Sequence, residues 1–105
     1  MSNKNELAVA AVRVLLELVK ASALHWEAVF FKITCSPPQA NTHEFLVRRG
    51  DSLTPLPEIP SYTELLDRVM MDIFDTMLKD TGQRPRVAVI TIGKDRHYKL
   101  KFDPD

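Results

Sequence analysis

The sequence predicts an α+β fold: two helices packed on one face of a mainly antiparallel sheet of four or five strands, in the order α-β-β-(β)-α-β-β. Three observations predict it. Two long segments have apolar residues at helical spacing, each followed by paired segments in which apolar and polar residues alternate. Turn residues separate the paired segments, so neighbouring strands run antiparallel. Each helical segment carries a wide apolar stripe, which a sheet face can cover.

The first helix is expected over roughly residues 4–23. Asn3 and Glu6 have the spacing of a capping box, in which side chains satisfy the first orphaned N–H groups. Glu6, Ala10, Arg13, Glu17 and Lys20 mark a solvent face, while Leu7, Val12, Leu15, Leu16 and Val19 cover most of the rest. Arg13 and Glu17, one turn apart, contribute only about 0.2–0.5 kcal/mol.

Trp26–Cys35 alternates and is rich in β-branched and aromatic residues, which predicts a strand. Val29, Phe31 and Ile33 share one face; Ala28, Phe30, Lys32 and Thr34 share the other. Ser36-Pro37-Pro38-Gln39-Ala40-Asn41 ends it, because proline cannot donate to a ladder. His43–Arg49 is a second strand with Phe45 and Val47 on one face, and its simplest partner is the first. Residues 50–60 hold three prolines, Pro55, Pro57 and Pro60, which read as a stiff connector rather than a proline-rich ligand. A short third strand fits at Ser52–Leu56.

The second helix is expected from Ser61 to about Asp80, opening on a Ser61–Glu64 capping box after Pro60. Tyr62, Leu66, Val69, Ile73 and Met77 form its stripe, widened by Leu65, Met70 and Phe74, and Gly82 is placed to end it. Met70, Met71 and Met77 read as core filler. The last third is a hairpin, Arg86–Ile92 and His97–Phe102, turned at Gly93-Lys94-Asp95-Arg96 with Gly93 free to take a positive φ. Tyr98, Leu100 and Phe102 point inward; His97, Lys99 and Lys101 point out.

At 105 residues the chain is read as a single domain, 1–105. One cysteine, Cys35, excludes an internal disulfide. The 14 bases balance 14 acids, which disfavours a strongly basic nucleic-acid binder. The first apolar stretch carries Arg13 and Glu17, unlike an export signal or a membrane span, so a cytoplasmic protein that meets no membrane is expected.

No enzyme is expected, and neither a catalytic set, a cofactor nor a metal is assigned. Cys35 has no local signature of a catalytic thiol, and His25, His43 and His97 are isolated rather than paired at zinc-ligand spacing. Gly93-Lys94 lacks the rest of a phosphate loop. Trp26 reads as a residue of the core edge before a binding anchor.

Zero net charge hides an asymmetry. Residues 61–80 hold Glu64, Asp67, Asp72, Asp75 and Asp80 against Arg68 and Lys79. Residues 84–101 hold Arg84, Arg86, Lys94, Arg96, Lys99 and Lys101 against Asp95 alone. Such polarity steers partners.

The chain resembles a family at Trp26-x-x-Val29-x-Phe31, at Asp80-Thr81-Gly82-Gln83-Arg84-Pro85, and at Val87-x-Val89-x-Thr91 followed by Tyr98-x-Leu100-x-Phe102-Asp103. In these it is similar to the YezG-like immunity proteins, antitoxins of bacterial polymorphic or contact-dependent inhibition toxin systems. It departs from that family at Arg86, at His97-Tyr98 and at the closing Asp103-Pro104-Asp105. The resemblance implies a cytoplasmic protein that binds and neutralises one cognate toxin domain, a nuclease in many such systems. With the charge asymmetry it implies partner-binding acids: Glu64, Asp67, Asp72, Asp75, Asp103 and Asp105. A monomer or weak homodimer is expected. Two alternatives are a small nucleic-acid-binding module that uses the basic hairpin, and a secretion chaperone.

Overall fold

The computed structural model describes residues 4–22 and 25–103. Its elements are α1 (Lys4–Ala21), β1 (Ala28–Thr34), β2 (Thr42–Arg49), β3 (Ser52–Pro55), α2 (Pro60–Thr81), β4 (Val87–Gly93) and β5 (Tyr98–Asp103). The strands form one sheet in the order β3-β2-β1-β4-β5, with every neighbouring pair antiparallel. The expected α+β architecture is therefore present, with the short third strand included.

Strand parity decides which side chains meet the helices. β1 pairs Phe31 with Phe45 and Ile90, and Ile33 with His43 and Ala88. Val29, Phe31, Ile33, Phe45, Val47, Ala88, Ile90 and Ile92 thus share one face, and they bury against Leu15, Leu18 and Val19 of α1 and Leu66, Met70, Ile73 and Phe74 of α2. Both helices lie on that face. Trp26 packs against the same core, half-buried just ahead of β1. Phe31 and Phe74, both fully buried, are its largest side chains.

The elements differ from expectation in three instructive details. First, α2 opens at Pro60 with Ile59 as N-cap, and no side chain caps it. The Ser61–Glu64 capping box does not form. Pro60 has the φ a first helical residue needs and no N–H to satisfy. The helix therefore starts one residue early and Ser61 is already inside it. The Ile59 carbonyl accepts from the N–H groups of Tyr62 and Thr63, each at 3.0 Å.

Second, the β4–β5 turn takes its positive φ at Arg96 (71°), not at Gly93. Arg96 N–H donates to the Gly93 carbonyl and Gly93 N–H donates to that of His97, both at 2.9 Å. This is a three-residue loop, a tight turn followed by one left-handed residue, which falls at Arg96. Gly93 serves another purpose: a Cβ there would stand 2.9 Å from Asp95 Oδ1. Third, Leu65 does not widen the buried stripe and is 42% exposed. On the edge strand, Tyr98 shares the covered side with Ile92 yet stays 38% exposed.

The remaining ends shift by a residue or two. β1 starts at Ala28, and Glu27 and Cys35 extend the ladder by single bonds to Arg48 and Arg86. Gly82 ends α2 as expected, at φ 80° with its N–H on the Leu78 carbonyl. The Asn3–Glu6 cap, residue 23 of the first helix and Asp105 lie, in whole or in part, outside the described residues. Among the described residues, no helix is long and apolar enough to cross a membrane.

Candidate functional site

The alternation of β2 puts a histidine where a core residue would stand. His43 shares the covered face with Phe45 and Val47 but sits at its margin, and its side chain is 13% exposed. Its ring stacks on Phe31, with centroids 6.2 Å apart and planes 19° from parallel. A largely buried imidazole needs a partner for its polar edge, and α2 supplies one: His43 Nε2 lies 2.9 Å from Asp67 Oδ1. A carboxylate only accepts, so Nε2 carries the proton. Asn41 Nδ2 donates to the same oxygen at 2.8 Å and meets Met71 Sδ at 3.5 Å. Asp67 is thus fixed by two donors from the segment that enters β2.

A second cluster continues along α2. Arg84, two residues past the Gly82 cap, donates from Nε to Asp75 Oδ1 at 3.2 Å. Its guanidinium lies 5.5 Å from the Phe74 ring centroid, and one NH₂ reaches Met71 Sδ at 3.4 Å. Cys35 Sγ is 3.9 Å from that same sulfur. Burial pushes the Cys35 thiol up from its ordinary value; Arg84 opposes the shift by charge and hydrogen bond, and Asp67 adds to it. The thiol packs within the core cluster, beside Met71.

Between α2 and the 40–43 segment opens a cleft of about 570 Å³, lined by Ala40, Asn41, His43, Thr63, Glu64, Asp67, Arg68, Met71 and Asp72. Helical spacing explains why Glu64, Asp67, Arg68, Met71 and Asp72 share it: they recur at three- and four-residue steps. Three acids face one base. Among the described residues Glu64 and Asp72 have no ion-pair partner, so their charge is available to a ligand.

The six acids expected to bind a partner separate accordingly. Glu64, Asp67 and Asp72 converge on the cleft. Asp75 is held by Arg84 beyond the lining. Asp103 pairs with Val87 at the far edge of the sheet, away from the cleft. Asp105 lies outside the described residues. Asn41 and His43 are the residues the sequence reading missed. Parity carried the signal for His43, since it falls in step with Phe45 and Val47; only the fold brings Asp67 to it.

Arg68 and Arg84 stay on the α2 side, whereas the lysines of β5 face the opposite way. Lys99 and Lys101 pair with Thr91 and Val89, on the sheet face that the helices leave uncovered, together with Lys32 and Arg48. Among the described residues no three of His, Cys, Asp and Glu converge to hold a metal ion. The sequence matches no protein-family model and no curated protein.

Proposed function

We propose that this chain is a non-catalytic binding protein that recognises a basic surface of a partner protein through the cleft on α2. One observation carries the reading: Glu64, Asp67 and Asp72 line a single cleft of about 570 Å³. Asp67 is oriented in advance by Asn41 and His43. Groups held in their bound arrangement lose less entropy on association, and an acidic cleft raises the encounter rate with a cationic surface.

In the form implied by the immunity-protein resemblance, the partner is a toxin nuclease with a basic nucleic-acid cleft. The acids of α2 then compete with phosphate for that cleft, and occupancy excludes the substrate. Such a protein works in the cytoplasm of the cell it protects.

The experiment is affinity capture of the tagged chain from its native cells, followed by assay of each stoichiometric partner for nuclease activity. The reading expects one basic partner whose activity disappears on adding the chain back. A partner left fully active when saturated would overturn the neutralising role. Recovery of many unrelated unfolded polypeptides would point to a chaperone.

A further inference from the structure

The uncovered face of the sheet departs from the usual pattern of an open antiparallel sheet. Such a face is ordinarily polar, because alternation sends apolar residues to the core. Here the positions facing away from the helices include Phe30, Leu46, Leu53 and Val89, which line a groove of about 260 Å³ with Lys32 and Glu44. Leu53 on the edge strand is 57% exposed, more than any other large hydrophobic residue among those described. The register sets Leu46 beside Phe30 and Val89 beside Lys32. Neighbouring positions on the face carry Arg48, Lys99 and Lys101.

The charge decides the occupant. The strands present Lys32, Arg48, Lys99 and Lys101 on this face against Glu44 and Asp103. A second copy packed face to face would bring like charges together. Single-stranded nucleic acid would need aromatic rings on which to stack; Phe30 is the one aromatic among the strand residues of this face. An apolar groove with an excess of cations around it fits an amphipathic chain, with apolar side chains toward the sheet and carboxylates along its flanks.

We propose that this face is a second docking surface, for an acidic amphipathic segment of a partner protein. It is independent of the cleft on α2, which takes the opposite charge. The two layers together allow one chain to hold two oppositely charged surfaces at once.

The test is a titration of the isotopically labelled full chain, followed by NMR. The probe is a synthetic helical peptide of roughly five turns, with leucine along one stripe and glutamate elsewhere. Shifts are expected at Phe30, Leu46, Leu53, Val89, Lys99 and Lys101. Leu53→Glu, at an exposed position that leaves the core intact, should weaken binding at least about tenfold, the effect of losing an apolar anchor. Lys99→Glu with Lys101→Glu should weaken it too and favour the same peptide carrying lysine in place of glutamate. The proposal is overturned if the peptide leaves these residues unshifted, or if its shifts fall on the α2 cleft. It is equally overturned if oligouridylate binds this face more tightly than the peptide. Sedimentation showing a dimer that Leu53→Glu dissociates would assign the face to a second copy instead.

Discussion

At the scale of single residues, the junction between sheet and α2 rests on Asp67. Its Oδ1 serves both Asn41 and His43. Replacing Asp67 with alanine strands a largely buried imidazole and an amide. A lost partner of this kind costs about 1–3 kcal/mol; the Asp67 side chain is 34% exposed, which places the expected loss near the lower bound. Urea unfolding of Asp67→Ala reads this directly, and an unchanged midpoint would mean the contacts carry no net stability. The Cys35 thiol, buried and pushed up, should react with a thiol reagent only as fast as the chain opens. Rapid labelling of the native protein at neutral pH would contradict its placement. Asp95 is lowered, chiefly because its carboxylate accepts the His97 backbone N–H. A carboxylate with a depressed folded value stabilises above its unfolded value and ceases to as pH falls through the folded one. Protection of the amides in the 93–97 turn, taken relative to the intrinsic exchange rate at each pH, should therefore fall on acidification below the ordinary aspartate range. Asp95→Asn should remove that dependence.

At the scale of elements, two left-handed residues make opposite predictions. Gly82 ends α2 at φ 80°, where a Cβ finds open space but a strained backbone. Gly82→Ala should cost about 1 kcal/mol in thermal or urea unfolding. Arg96 adopts φ 71° without being glycine, so Arg96→Gly should stabilise the hairpin by up to about 1 kcal/mol. A destabilised Arg96→Gly protein would show that its side chain contributes contacts that outweigh the strain. The same elements show what was legible beforehand. The periods of the apolar residues placed both helices and four of the strands, because burial of one face imposes those periods; β3, with no buried face of its own, was legible only as a short strand that could fit before Pro57. The ends of elements were less legible. Pro60 competed with Ser61 for the start of α2, and the fixed ring won. Gly93 looked like the left-handed residue, yet the turn's hydrogen bonds place that conformation three residues on.

At the scale of the whole molecule, the sheet turns a linear asymmetry into two layers. Acids of α2 gather beside the covered face, and the lysines of β5 emerge from the other. The sign of each surface was readable from the sequence, since charges on one helix or strand stay together. Which acids would remain available was not. Asp75 and Arg84 are nine residues apart and meet only because α2 ends at Gly82. Asp67 and His43 meet across 24 residues of chain, at a helix-on-sheet contact no local pattern encodes. Under the proposed function, the folded chain narrows the candidate acids to Glu64 and Asp72, with Asp67 as their fixed neighbour.

The most direct test of that assignment is the affinity of the captured partner for the wild-type chain and for Glu64→Lys with Asp72→Lys, measured by calorimetry at low and high salt. Both positions are exposed, so the fold should persist. The account predicts a loss of about a hundredfold or more on charge reversal, and wild-type binding that weakens as salt screens the encounter. Unchanged affinity of the folded, charge-reversed protein would contradict it and move the interface off α2.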